Sequence, residues 1–193
     1  MSTSCDAIDF APLNAERLGD LEQLFGPRGG CAGCWCMLWR GTPTEYRNGK
    51  GEGNRLAMHA LVRSGKVPGI LAYVESKPIG WCSVAPRELF PGLARSRVLR
   101  PVDDRPVWSI SCLLVDKACR KRGVSVALIR AAAEHARANG AEIIEGYPVT
   151  PKAESMPDVF AWTGLASAFA RAGFYEAGRH SPTRPVMRLD LRT

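Results

Sequence analysis

The stretch from Trp108 to Gly140, WSISCLLVDKACRKRGVSVALIRAAAEHARANG, constrains the fold more than any other part of the chain. Residues 107–115 form an apolar, β-branched run with the length and composition of a buried strand. The chain then breaks at Asp116-Lys117-Ala118-Cys119-Arg120-Lys121-Arg122-Gly123. It resumes as an alanine-rich helix with apolar positions at Val124, Ala127, Leu128, Ala131 and Ala132 and a stop at Asn139-Gly140. A strand, a short basic turn with one glycine and a helix together predict an anion site. The first amides of a helix lack intrahelical partners and the macrodipole is positive there, so a phosphate is held by backbone donors. Gly123 lets the backbone approach closely, and Arg120, Lys121 and Arg122 add charge.

Neither the G-x-G-x-x-G of dinucleotide folds nor the G-x-x-x-x-G-K-[ST] of nucleotide triphosphatases is present. The segment Val115 to Ser125 instead resembles the acetyl-CoA signature of the GNAT superfamily of N-acetyltransferases. There a strand ending in valine leads into [QR]-x-x-G-x-[GA], whose amides wrap the cofactor's diphosphate. Arg120 and Gly123 match, while Lys117 stands where proline is common and Ser125 where glycine or alanine is usual. The resemblance implies acetyl-CoA as co-substrate, contacted by Leu113, Leu114, Val115, Arg120, Lys121, Arg122, Gly123, Val124 and Ser125.

The order of elements agrees. A short strand over residues 5–10 is followed by a helix carrying Leu18, Leu21, Leu24 and Phe25 and ending at Gly26-Pro27. A glycine-rich loop or broken helix then precedes a second helix with Leu56, Ala57, Ala60 and Leu61 on one face. Residues 69–75 and 78–84 read as strands joined by Ser76-Lys77, a hairpin. The connection 85–106 holds four prolines and five arginines, and an ordered loop that long is more often functional than idle. Further strands are expected at 142–147, 174–179 and 185–191, with a proline-rich linker at 148–157 and a helix over 158–172. The fold class is α/β (α+β). The resemblance implies one GNAT domain over 1–193, with a mixed, mostly antiparallel sheet of six to seven strands flanked by helices.

The end of that last helix carries a second likeness, to N-x-x-A-x-x-x-Y-x-K-x-G-F. Gly173 and Phe174 fit and Arg171 sits at the lysine position. Phe169, however, occupies the place of the tyrosine that protonates the departing thiolate in many members, and a phenyl ring has no proton to give. Trp162 falls where an asparagine often reaches the pantetheine arm. Phe169 is still expected beside the thioester. Tyr147, Thr163, Ser167 and Cys112 are substitutes for the acid, and Tyr147 is the preferred one.

The resemblance implies direct attack of a primary amine on the thioester, and the amine must first lose a proton. Residues 108–112 carry no carboxylate, so Glu145 on the neighbouring strand is the expected base, with Glu75 and Glu88 in reserve. The segment Cys31 to Arg40, CAGCWCMLWR, has the most unusual composition in the chain. Its C-x-x-C-x-C spacing would suit zinc with His59, Cys82 or Cys112 as a fourth ligand, but no second pair follows and no metal is expected. In the GNAT layout this segment covers the acceptor. Cys34, Trp35 and Trp39, with Trp81 and Trp162, are therefore the expected walls of the substrate pocket, unless they simply pack the loop onto the core.

Hydrophobic residues make up 46% of the chain and charged ones 23%, as in soluble globular proteins, and no run of about 18 apolar residues reads as a membrane span. MSTSCDAIDF has no basic or apolar signal region, and seven cysteines without an export signal imply reduced thiols, so a cytoplasmic location is expected. The net charge of +7 is spread through 87–105, 120–137 and 171–192 without a long basic tract. A polyanionic cofactor accounts for part of it, and neither nucleic acid nor membrane is an expected partner. The expected acceptor is a small-molecule amine, and the C-terminal hairpin is the candidate surface for a homodimer. The missing tyrosine and strand carboxylate leave a second reading, a non-catalytic acetyl-CoA-binding module.

Overall fold

The computed structural model describes residues 7–151 and 161–192. Its centre is β4 (Trp108–Val115), joined through a 3-10 turn at Lys117–Cys119 to α5 (Val124–Ala138). Alanine and unbranched residues favour helix in α5, and Val124, Leu128, Ala132 and Ala136 recur every fourth residue to give it one buried stripe. That stripe packs on the sheet face formed by Ile70, Ala72, Cys82, Val84, Ile110 and Leu113.

The remaining strands are β1 (Asp9–Pro12), β2 (Gly69–Val74), β3 (Lys77–Pro86), β5 (Ile143–Gly146), β6 (Tyr175–Arg179) and β7 (Pro185–Asp190). They form one seven-stranded sheet in the order β1-β2-β3-β4-β5-β7-β6. Every pairing is antiparallel except β4 with β5. The β2–β3 turn is Glu75-Ser76, both left-handed with φ of 48° and 65°, so Lys77 belongs to β3 rather than to the turn. The first strand covers residues 9–12; residues 1–6, where part of it was expected, lie outside the described residues.

The other face carries α1 (Leu18–Phe25), α2 (Pro43–Asn48) and α3 (Glu52–Arg63). A Thr42–Glu45 capping box with Pro43 in the first turn starts α2 inside the glycine-rich segment. Leu13, Leu21, Phe25, Trp35, Met58, Leu71 and Trp81 close this half of the core. The long 85–106 connection contains a 3-10 turn at Arg87–Leu89 and a one-turn helix, α4 (Pro91–Ala94). Phe90, Leu93 and Leu99 from this connection pack with Ala85, Tyr147, Val186 and Trp39. Among the described residues, no helix is long and apolar enough to cross a membrane.

The last helix differs from expectation. Residues 152–160 lie outside the described residues, and α6 spans only Ala166–Arg171. Before it, residues 161–164 form a turn closed by the Gly164 amide on the Ala161 carbonyl at 2.8 Å, with Gly164 at φ 87°, and Leu165 bridges to Val149. Gly173, at φ 99°, ends the turn that follows α6.

Gly146 is the position where β5 can least tolerate a side chain, because an added Cβ would lie 2.0 Å from the buried Phe169 ring. Gly146→Ala is expected to cost about 3 kcal/mol through overpacking. The melting temperature should fall by roughly 6–12 °C, at about 2–4 °C per kcal/mol for a domain of this size. An unchanged melting temperature would show that the ring moves aside freely.

Candidate active site

Strands β4 and β5 run side by side only at Trp108–Ile144, Ser109–Glu145 and Ile110–Gly146. Beyond Ile110 the strands part, while β4 continues to Val115 with only β3 as its ladder partner. On the parted edge, Leu113 N–H donates to the Trp162 carbonyl at 2.7 Å, and Arg120 Nε donates to the Val115 carbonyl at 3.2 Å. The Phe169 ring fills the base of the parting, between Gly146 and Gly164, with Phe174 edge-on at 5.2 Å. A β-bulge lies opposite Ser83 and Val84, leaving Ser111 without a cross-strand partner, and Ser111 Oγ donates to Ser83 Oγ at 3.0 Å.

The parted edge leads to the N-terminus of α5. Gly123 caps the helix in the left-handed conformation at φ 80° and provides no side-chain cap. Its carbonyl accepts from the Val126 and Ala127 amides, and an added Cβ would meet nothing within 4 Å. Asp116 Oδ1 accepts from Ala118 N–H at 2.8 Å and holds the turn, where Lys121 is also left-handed at φ 61°. An open space bounded by first-turn amides of a 15-residue helix, with Arg120, Lys121 and Arg122 beside it, fits a diphosphate.

Behind the parting lies a buried polar network. The Glu145 carboxylate is buried and accepts from Arg188 Nη2 at 2.5 Å and Nε at 2.9 Å, and from Tyr147 O–H at 3.0 Å. Arg188 also bridges to Asp103 at 2.7 and 3.1 Å. Arg87 reaches the Tyr147 hydroxyl, which also hydrogen-bonds Ser109 Oγ at 2.8 Å. Burial, and then the Glu145 charge, push Tyr147 well above the ordinary phenol range. A cavity of about 180 Å³ borders Arg87, Asp103, Val107, Glu145 and Arg188. Of the reserve carboxylates, Glu75 lies in the exposed β2–β3 turn and Glu88 is exposed. Among the other acid candidates, Thr163 is buried and accepts from Arg184 at 2.7 Å, Ser167 is exposed, and Cys112 is half-buried.

The five expected pocket walls separate into two groups. Trp35 stacks on Phe25 at 5.3 Å, and Trp81 meets Phe25 edge-on at 6.2 Å, both within the core. Trp39 and Trp162 come together as a half-buried stack at 6.1 Å. Trp35 and Cys36 are left-handed at φ 42° and 54°, which turns the cysteine inward beneath β3. Cys36 Sγ accepts from Trp81 Nε1 at 3.1 Å, and Cys34 Sγ donates to the Gly29 carbonyl at 3.8 Å. The neighbouring Cys36 and then burial push the Cys34 thiol up, and the neighbouring Cys112 and then burial push the Cys36 thiol up. Among the described residues, no three His, Cys, Asp or Glu side chains are disposed to hold a metal ion.

Reading along the sequence missed Arg188, Asp103 and Arg87. The density of arginine in 85–106 marked the region, but nothing local marked the pairing across 85 residues between Arg188 and Asp103.

The acetyltransferase (GNAT) family model matches residues 35–154, well over half of the sequence. The chain belongs to that family. Acetyl-CoA is the family's co-substrate, and the α5 terminus fits its diphosphate. Solved structures share the acetyltransferase fold at low identity. AAC(6')-Ib, in complex with ribostamycin and coenzyme A, is 16% identical with a TM-score of 0.57, over 96% of this chain and 94% of that one. An N-acetyltransferase from Staphylococcus aureus Mu50 is 12% identical with a TM-score of 0.54, over 97% and 100%. The PaiA N-acetyltransferase from Thermoplasma acidophilum, in complex with coenzyme A, is 12% identical with a TM-score of 0.53, over 95% and 99%. No curated protein sequence matches the acetyltransferase significantly.

The network behind the site makes the acetyltransferase acid-sensitive with a definite sign. Arg188, and then Arg105, hold the Asp103 carboxyl below the usual carboxylate range. Its folded pKa is depressed, so the pair stabilises the protein above about pH 4, and that stabilisation is lost as the pH falls further. Asp103→Asn should therefore lower the melting temperature at pH 7, and the gap from wild type should narrow between about pH 4 and pH 2.5. Differential scanning fluorimetry across that range checks it, and a constant gap would contradict the pairing.

Proposed function

We propose that this acetyltransferase moves the acetyl group of acetyl-CoA to a primary amine of a small molecule by direct attack. The observation that carries the reading is the parting of β4 from β5 beside the open N-terminus of α5. With the diphosphate at α5, an extended arm running along the parted edge meets Leu113 N–H beside the half-buried Cys112. Leu113, Leu114 and Val115 would line that arm, Phe169 would close its base, and Trp39 and Trp162 would roof the acceptor side. A small acceptor suits a site roofed by stacked indoles. AAC(6')-Ib, captured with ribostamycin and coenzyme A, has this fold and supports the same choice.

Glu145 and Tyr147 enter the reading as positioning groups rather than as a base and an acid facing substrate. Both Glu145 oxygens are already engaged, and the Tyr147 proton is held by burial and by the carboxylate beside it. Together they brace β4 against β5 where the strands separate. In the transfer, the neutral amine forms the new C–N bond, the C–S bond breaks, and the ammonium proton passes to the departing thiolate, giving amide and free thiol. The deprotonation of the amine that must precede attack occurs in solvent. The rate should then follow the neutral fraction of the acceptor, so kcat/KM rises about tenfold per pH unit up to the acceptor's own pKa.

Thiol release from acetyl-CoA across a panel of primary amines, followed from pH 6 to 10, tests this reading. Saturable, amine-dependent release with that slope supports it. An inflection between pH 6 and 8 shared by all amines would instead identify an enzymic base. Tight coenzyme A binding with no release for any amine would favour a non-catalytic binding module. Gly123→Val, which forces a β-branched residue to φ 80°, should weaken acetyl-CoA binding at least tenfold in calorimetry. Unchanged affinity would remove the diphosphate from the α5 terminus.

A further inference from the structure

Two arginines packed against the core each meet a pair of acids. Arg188 has two carboxylates, and Arg55 has Glu22 and Glu52. Arg40 is different. Its guanidinium lies 4.3 Å from the Phe90 ring centroid, wedged between the 26–42 segment and the 85–106 connection. Both of its hydrogen bonds run through Nη2, to the Pro68 carbonyl at 2.8 Å and Ser83 Oγ at 3.3 Å. Among the described residues it has no carboxylate within ion-pair distance, and its Nε–H is buried without an acceptor. Burial pulls its ionisation down to about 10, which still leaves it a cation at neutral pH.

A second orphan sits on the preceding residue: Trp39 Nε1–H is likewise buried with no acceptor. Both unmet groups are donors only, so an acceptor-rich anion is their complement, and a protein donor is not. A third observation comes from the other indole of the stack. Thr163, next to Trp162, takes its hydrogen bond from Arg184, another arginine with no carboxylate partner among the described residues. Arg40 is also wired to the cofactor strand, since Ser83 Oγ accepts from both Arg40 and Ser111, the bulge residue two positions before Leu113. A charge this close to β4 with no internal partner is costly unless a ligand supplies one.

We propose that Arg40 receives a carboxylate carried by the acceptor, so that the acceptor class is a small amino acid, with a free amine for acetylation and an anionic group for Arg40. The planar guanidinium fork matches a carboxylate, and the Trp39–Trp162 stack accommodates an apolar or aromatic side chain between the two ends. This rests on the amine-transfer reading above, and its test separates the two.

Phenylalanine, phenylalaninamide and phenethylamine present the same ring and a primary amine, with and without the carboxylate. Thiol release is measured for each, with kcat/KM referred to the neutral amine. The acid should exceed the amide at least tenfold in wild type, and in Arg40→Gln that ratio should fall to near one. Arg40→Lys, which keeps the charge and loses the fork, should retain an intermediate ratio. A binding arm needs no turnover: N-acetylphenylalanine should raise the melting temperature of wild type and leave that of Arg40→Gln unmoved, with coenzyme A binding showing that the variant is folded. If amines are acetylated but the acid is no better than the amide, the carboxylate site is overturned and the amine-transfer reading stands. If no amine releases thiol, that reading fails, and the melting shift alone decides whether Arg40 binds carboxylates. A shift equal in wild type and Arg40→Gln would overturn the assignment.

Discussion

Everything in this fold turns on where β4 stops pairing with β5. Two parallel strands that stayed in register would satisfy each other's amides and leave no room for a ligand. Here the ladder ends after Ile110–Gly146, where the Phe169 ring lies against Gly146 and Pro148, two residues on, has no N–H to continue it. The edge of β4 exposed by that parting carries unpaired backbone groups, and a buried unpaired amide is expensive. The Trp162 carbonyl and the Arg120 side chain take two of those positions. A thioester carbonyl is also a hydrogen-bond acceptor, so the parted edge is chemically matched to the arm that the proposed reaction needs there.

A sheet with its two central strands parted needs reinforcement close by. The Asp103–Arg188–Glu145–Tyr147 network supplies it, linking β7, β5 and the 85–106 connection at the point of separation. Buried ion pairs contribute little net stability compared with well-packed apolar groups, because desolvation offsets most of the attraction. What they do enforce is geometry, since any slip of β7 against β5 leaves a charge unpaired at a cost of about 3–5 kcal/mol. The network is therefore better understood as fixing the strand register beside the cleft than as adding to global stability. The same contacts engage both Glu145 oxygens.

The parts of this architecture carried by local pattern were legible in the sequence. The β4-turn-α5 unit, the β2–β3 hairpin and the C-terminal pair of strands follow from periodicity, glycine placement and helix composition, which act over a few residues. Contacts made across long separations were not legible. Glu145 among isoleucines reads as a carboxylate waiting for a role, because Arg188 lies 43 residues further along the chain. The cysteine-tryptophan segment was equally opaque, since its path depends on left-handed backbone at Ala32, Trp35 and Cys36, residue types that give no such signal. Trp35 and Trp81 are both buried, and Trp35 also borders a cavity of about 600 Å³ beside Glu22, Gly26, Glu52 and Arg55.

The contrast between Arg188 and Arg40 separates structural from receptive charge in this molecule. Arg188 is buried and Arg40 is half-buried with its Nε–H shielded from water, and a chain with 26 basic and 19 acidic residues has enough acids to pair its few internal arginines. Arg188 is saturated by two carboxylates, so a ligand gains nothing by approaching it. Arg40 has an aromatic face, a carbonyl and a hydroxyl, which hold the side chain in place without neutralising it. A site of that kind is destabilising when empty and recovers the desolvation cost only when an anion arrives, so its selectivity for charged over neutral acceptors is built in before any substrate binds. Because Ser83 connects Arg40 to the bulge at Ser111, the same anion would be registered at the strand that presents the thioester.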